Sequence, residues 1–276
     1  MKLQIKTSQI TPFKTLMTAL KDILLETNIK FTKNGMTIVN MDKSHNILVH
    51  LFLESEGFEE YFCSESKIIL GVNIFHLFKI INTVDNHDIL SIYIEDDDYE
   101  EGVVKYLTIC FENDTIRQQR IYKLRLIEPT VEYSDIPTNV KYSSIINLPS
   151  NDFQKIVRDL SHFSNRLEIK SVGDELWFNL KGPYANVQIK RSECDENMQY
   201  IQKQDETKIV QGEFSLKYLN YFIKCTNLCN SIELLLGNNL PLIVKYDVPS
   251  LGEIKLCLAP LESDNEEHNK TSYNTY

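Results

Sequence analysis

The chain has 276 residues and a net charge of −10; 42% of its residues are hydrophobic and 25% are charged. This composition is typical of globular proteins and, with only nine glycines and eight prolines, it excludes collagen-like and low-complexity classes. No apolar run approaches the roughly 20 residues of a membrane span, and the N-terminal residues lack the apolar stretch of a secretory signal. We therefore expect an intracellular protein without membrane contact, whose six cysteines are reduced thiols.

Hydrophobic periodicity predicts a chain dominated by strands. Alternating or β-branched runs predict strands at residues 35–40, 46–53, 89–94, 103–111, 121–127, 167–169, 176–180, 185–189, 231–236, 242–248 and 253–258. Helical spacing predicts helices at residues 12–26, at 74–82, after Pro149 and Ser150, and at 215–225. Because strands outnumber helices and short turns join them, we predict an α+β fold of antiparallel sheets with helices on one face.

The two halves of the chain repeat one order of elements. Val104-Lys105-Tyr106 recurs as Val244-Lys245-Tyr246, and a closing strand before Pro129 or Pro260 follows each copy. Each half also opens with an amphipathic helix and places a second helix midway. We therefore predict two similar domains, at residues 1–128 and 143–261, joined by a connecting segment at 129–142. The acidic tail at 262–276 is expected to be disordered.

Basic residues lie opposite the apolar sides of the predicted helices. Spacings of three and seven place them on common faces. They are Lys14, Lys21, Lys79, Lys155, Arg158, Lys217 and Lys224. Such residues either solvate the outer face of a packed helix or bind nucleic-acid phosphates. The acidic total does not exclude the second interpretation, because much of the acid is clustered at residues 95–101 and 262–267 and salt screens distant charges.

Enzyme motifs are missing from the sequence. It contains no GxxxxGK[ST], GxGxxG or GxSxG motif. Asp159, Ser161 and His162 are neighbours in sequence, but neighbours on a helix point in different directions, so a polar helix face is the better interpretation. Cys225 and Cys229 lack the second ligand pair of a zinc site. We expect neither catalysis, nor a cofactor, nor a metal site.

Several segments together resemble the proliferating cell nuclear antigen (PCNA) family, the sliding clamps of eukaryotes and archaea. They occur in the family's order and span residues 1–261. They are Asn34-Gly35-Met36-Thr37-Ile38-Val39-Asn40-Met41-Asp42-Lys43-Ser44-His45, Ser55-Glu56-Gly57-Phe58, Gly71-Val72-Asn73, Leu148-Pro149-Ser150, Arg158-Asp159-Leu160-Ser161-His162, Tyr218-Leu219-Asn220-Tyr221-Phe222, Pro241-Leu242-Ile243-Val244-Lys245-Tyr246 and Leu258-Ala259-Pro260.

The resemblance implies a non-enzymatic DNA sliding clamp. Three identical subunits would close a ring around duplex DNA of any sequence, with helices lining the hole and the seven basic residues above facing the DNA. Implied partners are a DNA polymerase, a clamp loader, and proteins of the flap endonuclease and DNA ligase type that carry a PIP-box peptide. The implied location is the nucleus, or a viral replication compartment if the protein is viral.

The resemblance also implies a pocket for the PIP-box peptide beside the connecting segment. Positions that match its lining are Met41, His45, Leu48, Ile136, Pro241 and Ala259. Two positions depart from the family pattern, because Ser134 replaces an aliphatic residue and Cys257 replaces a common aromatic one. We expect a more polar pocket that binds standard PIP-box peptides weakly.

Subunit contacts in this family join edge strands, which here match residues 117–125 and 184–192. The interface residues are Arg117, Arg120, Tyr122, Val187, Ile189 and Lys190. Both edges are basic, and like charges on facing strands destabilise a pair. A subunit of a heteromeric, checkpoint-type clamp is therefore an open alternative. So is a monomeric or dimeric processivity factor held to DNA by charge, while a hydrolase or nuclease is disfavoured.

Overall fold

The computed structural model describes residues 1–100, 103–130, 140–194, 197–203 and 208–261. The chain forms two units. The first comprises Met1–Thr138 with Lys224–Asn230 and Lys245–Leu256, and the second comprises Asn139–Ile223, Ser231–Val244 and Cys257–Tyr276. Among the described residues, no helix is both long and apolar enough to cross a lipid bilayer.

The first half of the chain contains helices α1 (Ile10–Ile23) and α2 (Ile74–Ile81). Its strands are β1 (Leu3–Thr7), β2 (Glu26–Thr32), β3 (Gly35–Met41), β4 (Ile47–Glu54), β5 (Glu60–Cys63), β6 (Ile68–Asn73), β7 (Ile89–Ile94), β8 (Tyr99–Glu100), β9 (Val103–Val104), β10 (Tyr106–Asn113) and β11 (Gln118–Arg125). Short 3-10 helices span Ser55–Gly57 and Asp96–Asp98.

The second half contains helices α3 (Ser150–Leu160) and α4 (Leu216–Phe222), the latter followed by a 3-10 helix at Ile223–Leu228. Its strands are β12 (Ser144–Pro149), β13 (Arg166–Val172), β14 (Glu175–Lys181), β15 (Asn186–Ser192), β16 (Gln199–Gln202), β17 (Val210–Ser215), β18 (Ser231–Leu236), β19 (Leu242–Val248) and β20 (Gly252–Leu258). Strands β19 and β20 each contribute residues to both units.

The antiparallel pairings of the first half recur in the second. Strand β1 pairs with β5 and β7, and its counterpart β12 pairs with β16 and β18. Strand β2 pairs with β3 and β6, and its counterpart β13 pairs with β14 and β17. Strands β3 and β4 correspond likewise to β14 and β15. The predicted α+β fold of two similar domains is therefore confirmed, because the order of elements and their partners both repeat.

Helix α1 ends earlier than its apolar spacing predicts, because the residues that follow it pair in a strand. Helix α1 was expected at residues 12–26, but it spans Ile10–Ile23 with Pro12 in its first turn. Leu24 is already extended, with φ −111° and ψ 137°, and Glu26 pairs with Asn73 of β6. Helix α2 begins at Ile74, where the Asn73 side chain accepts a hydrogen bond from the amide of His76 at 3.1 Å.

Candidate functional site

Four of the predicted basic residues lie in the first unit. Lys14 and Lys21 are on α1, seven residues apart, and both side chains are half-buried. Lys79 is exposed on α2, which packs beside α1. Lys224 is exposed in the 3-10 helix after α4, in a stretch that belongs to this unit. The structure thus places cations from three helical segments in one unit.

Asp22 joins two of these cations, a connection that the spacing of basic residues did not reveal. Its carboxylate accepts hydrogen bonds from Lys21 Nζ at 3.1 Å and from Lys224 Nζ. Burial alone raises the pKa of Asp22, but the hydrogen bonds and charges of Lys224 and Lys21 outweigh it, so the pKa lies below its ordinary value. Asp22 is therefore an ionised counterion for both lysines.

Two aromatic side chains of α2 make cation–π contacts with lysines of the first unit. The Nζ of Lys79 lies 4.5 Å from the centre of the Phe75 ring, and the Nζ of Lys21 lies 4.9 Å from that of Phe78. Phe75 remains 43% exposed. The one available sequence signal was the spacing of four between Phe75 and Lys79, which places the two on one face of a helix.

The other three basic residues lie in the second unit. Lys155 and Arg158 are exposed on α3, and Lys217 is exposed on α4. The two helices pack together, and Asn220 Nδ2 of α4 donates to Ser161 Oγ at the end of α3 at 2.7 Å. Lys217 Nζ lies 5.6 Å from the centre of the Tyr218 ring. Each unit thus has a pair of packed helices that carries basic residues, which are exposed on α2, α3 and α4 and half-buried on α1.

The geometry gives no support to a catalytic role for Asp159, Ser161 and His162. Ser161 Oγ donates to the carbonyl of Val157 at 2.6 Å, and the His162 carbonyl accepts from Tyr184. Burial raises the pKa of the Cys225 thiol to about 12, so this buried side chain is protonated at neutral pH. In the part of the chain that the structure describes, no cluster of three His, Cys, Asp or Glu side chains could hold a metal ion.

A surface depression of about 350 Å³ brings together two of the predicted peptide-binding residues, Met41 and His45. Leu48 lies on β4 directly across from Met41 on β3, and it is half-buried. The complete lining of the depression is Ile23, Leu25, Glu26, Asn40, Met41, Asp42, Lys43, His45 and Thr130. Its lining combines the apolar side chains of Ile23, Leu25 and Met41 with polar and charged ones, a mixture that suits apolar anchors of a ligand or peptide together with a few polar contacts.

The loop that carries His45 is held by Asp42. Its carboxylate accepts hydrogen bonds from the amides of Asn46 at 2.8 Å and Ile47 at 2.7 Å. Burial raises the pKa of Asp42, but hydrogen bonds from Ser44, Ile47 and Asn46 outweigh it, and the pKa lies below its ordinary value. His45 itself has a φ of 55°, a left-handed conformation that the bonds to Asp42 hold in place.

The remaining predicted pocket residues lie elsewhere in the chain. Pro241 is exposed and Ala259 is half-buried, both in the second unit, and Cys257 is buried at 6% exposure. Ser134 and Ile136 fall outside the described residues. Of the predicted pocket residues that the structure describes, Met41 and His45 line the depression.

Several basic residues of the edge strands form ion pairs within the chain. On β11, Arg120 pairs with Asp88 and with Asp85 at 3.3 Å, and Lys123 pairs with Glu95 and Asp98. On β15, the ion pairs are Lys190 with Glu175 at 2.9 Å and Arg191 with Asp152 at 2.6 Å. Four basic residues of the two edge strands are therefore paired with acids of the same chain that are distant in sequence, which lowers the repulsion expected between two basic edges.

Apolar interface candidates lie on the helix-facing sides of these strands. Tyr122 is half-buried on β11, where its ring packs edge-on against Phe111 and its hydroxyl bonds the Thr83 hydroxyl at 3.3 Å. Val187 and Ile189 are half-buried on the same side of β15 as Arg191, which reaches α3. Arg117 is exposed in the turn before β11, with a φ of 51°.

Asp88→Asn is expected to lower the free energy of unfolding by about 2 kcal/mol near neutral pH, because it breaks the buried ion pair with Arg120. Burial raises the pKa of Asp88, but hydrogen bonds from Asp85, Asn113 and Arg120 bring it below its ordinary value. The stabilisation is therefore present above about pH 4 and is lost as the pH falls through the folded-state pKa. Urea unfolding should show a smaller acid-dependent loss for the variant than for the wild type, and equal losses would contradict this role.

Comparison with protein families assigns both halves of the chain. The family model described as proliferating cell nuclear antigen, N-terminal domain, matches residues 2–133. The model described as proliferating cell nuclear antigen, C-terminal domain, matches residues 135–261. The two matches follow each other along the chain in the order that their names give.

Proposed function

Because this chain belongs to the proliferating cell nuclear antigen family of DNA sliding clamps, we propose that three copies of it close into a ring around duplex DNA. Family members are non-enzymatic proteins of DNA replication and repair. The proposal is therefore a scaffold that tethers a DNA polymerase and other replication proteins, and that acts in the nucleus or in a viral replication compartment.

The main support for a ring is that two equivalent pairs of strands differ in their pairing: one pair is joined within the chain, and the strands of the other pair are both left at sheet edges. In the first unit, β4 lies beside β20, and the Glu54 amide donates to the Leu251 carbonyl at 2.7 Å. The counterparts of β4 and β20 in the repeat are β15 and β11. Each ends its sheet, with no further strand paired to it among the described residues. A second copy that places its β11 on β15 would repeat the β4–β20 pairing and satisfy both open edges.

The distribution of cations supports a role in DNA binding. All seven basic residues lie on or directly after helices, and five of them are exposed. The chain as a whole is acidic, with a net charge of −10. Contacts to phosphates carry no sequence information and weaken with salt, so they suit a protein that moves along DNA. Retention on DNA would come from the closed ring and would not require tight binding.

The depression around Met41 and His45 supports a partner site. Its occupant would be a PIP-box peptide with aliphatic and aromatic anchors, of the kind carried by polymerases, clamp loaders, flap endonucleases and DNA ligases. Half-buried Met41 offers an apolar contact, and exposed His45 offers a polar one at the rim.

Light scattering after size exclusion, over a salt series, tests the ring. We expect a mass near 96.6 kDa, three times the 32.2 kDa of one chain. A mass of one chain at every concentration would contradict the homotrimer, and it would favour a heteromeric clamp or a monomer held to DNA by charge.

Retention on end-blocked DNA tests the encirclement. The protein is threaded onto a linear duplex that is fixed at one end, and the other end is then either blocked by a bulky protein or left open. We expect retention in high salt only when both ends are blocked, because salt removes phosphate contacts but not a closed ring. Equal loss from both DNAs would contradict encirclement.

A further inference from the structure

The chain that leaves β11 docks on β6 through a glycine. The Ile127 amide donates to the Gly71 carbonyl at 3.0 Å, and the two residues form an antiparallel bridge. A Cβ on Gly71 would lie 2.4 Å from the Ile127 carbonyl oxygen and 2.8 Å from the Glu128 carbonyl carbon. Only glycine allows the chain to pass this close.

Three residues further on, a buried side-chain amide continues this docking. Asn28 lies on β2 directly opposite Gly71 and is 8% exposed. Its Nδ2 donates to the Thr130 carbonyl at 2.7 Å, and its Oδ1 accepts from the Thr130 amide at 2.9 Å. One side chain thus supplies the donor and the acceptor that a neighbouring strand would supply.

The second half of the chain docks its own end without such an amide. After β20, the Leu261 amide donates to the Glu213 carbonyl of β17 at 2.7 Å, which parallels the bond from Ile127 to Gly71. The residue opposite Glu213 is Glu168, the counterpart of Asn28. The Glu168 carboxylate accepts from Asn179 Nδ2 at 2.7 Å. The pair of hydrogen bonds from a side-chain amide is therefore found in the first half of the repeat, where the chain continues into the connecting segment, and its counterpart is not found among the described residues of the second half.

Thr130 also lines the depression that contains Met41 and His45. We propose that Asn28 is a positioning residue for the partner-peptide site, because it fixes Thr130 at the edge of the depression and at the start of the connecting segment. The inference rests on the proposed partner function. Asn28 does not need to touch the peptide; it acts through the backbone of Thr130.

The first test is the affinity of full-length protein for a standard PIP-box peptide, measured by calorimetry. Asn28→Ala is expected to weaken binding about tenfold, the effect of losing one to two hydrogen bonds that preorganise the site. Glu168→Ala, at the counterpart position, is the matched control and should leave the affinity unchanged. Thermal melting of both variants separates a loss of positioning from a loss of folding.

Asn28→Asp provides a readout that simple destabilisation would not give. The ionised carboxylate accepts from the Thr130 amide but repels its carbonyl oxygen, whereas the protonated acid has a donor like the amide. Burial favours the protonated form. The affinity of this variant, relative to wild type at the same pH, is therefore expected to recover as the pH is lowered from about 7.5 to 5.5.

The possible outcomes separate the role of Asn28 from the existence of the partner site. Equal binding by wild type, Asn28→Ala and Asn28→Asp at every pH would overturn the role of Asn28 while leaving the partner site intact. A wild-type protein that binds no PIP-box peptide would overturn the partner site and this role together. Faster hydrogen exchange at the Thr130 amide in Asn28→Ala, together with weaker binding, would support the proposal.

Discussion

Ile189→Lys should elute as a single chain of 32.2 kDa at micromolar concentration, whereas the wild type should elute as a trimer. In the proposed ring, the half-buried Ile189 of β15 lies beside β11 of the next copy, on the side of Tyr122. A lysine there would lose the burial of an isoleucine and would place an unpaired charge in the contact. The combined cost of about 3 kcal/mol per contact corresponds to more than a hundredfold weaker association.

Ile201→Lys is the matched control for this substitution. Ile201 lies on β16, which also ends a row of strands in the second half, and it is 58% exposed. Its replacement adds the same charge to an edge strand outside the proposed interface, so the trimer should persist. Tyr122→Ala tests the opposite edge and should give the same loss of mass as Ile189→Lys. A trimeric Ile189→Lys protein with unchanged melting would contradict the assignment of β15 to the ring contact.

Asp22→Asn is expected to raise the affinity for a short duplex about tenfold at moderate salt. The substitution removes the carboxylate that now pairs with Lys21 and Lys224, so this negative charge no longer competes with phosphates for the two ammonium groups. Each additional phosphate contact steepens the dependence of log affinity on log salt by about 0.9. Fluorescence anisotropy of a labelled duplex over a salt series should therefore show a slope steeper by about 1.8 for the variant.

Asp97→Asn changes the net charge of the chain by the same amount and serves as the control. Asp97 is exposed in the 3-10 turn between β7 and β8 and is not part of the helices that carry the basic residues. It should leave the salt slope unchanged. A slope that shifts equally in both variants would show that net charge, rather than the pairing of Asp22, sets DNA affinity. An unchanged slope in Asp22→Asn would show that Lys21 and Lys224 do not contact phosphates.

Local patterns were sufficient to predict the fold class and the repeat. Apolar spacing located all four described helices, and the alternation of residues located most of the long strands. Helix ends were less predictable, because the pairing of Glu26 with Asn73 ends the helical stretch before the periodicity does. Short or uniformly apolar strands such as β5 and β6 carry no alternation that distinguishes them from loops or helices.

The sequence was sufficient to locate the basic residues of the candidate site, but not the acidic and amide side chains that bind or position the residues of the site. Spacing along helices located the lysines and arginines, because that information is local. Asp22 and Asn28 act on Lys224 and Thr130, which are distant in sequence. The compensation of Arg120 by Asp88 is likewise a product of the tertiary structure. A single sequence does not reveal such pairs, since any of the many acids and amides could be the partner.

The unequal coverage of the two sheet edges determines where the proposed ring can open. The contact of β4 with β20 is made by one continuous chain, so dilution cannot separate it and the chain would have to unfold locally to break it. The contact of β11 with β15 would hold two separate molecules, so its strength depends on concentration. A protein that opens the ring to admit DNA would therefore break one β11–β15 contact between two molecules and leave every β4–β20 contact intact.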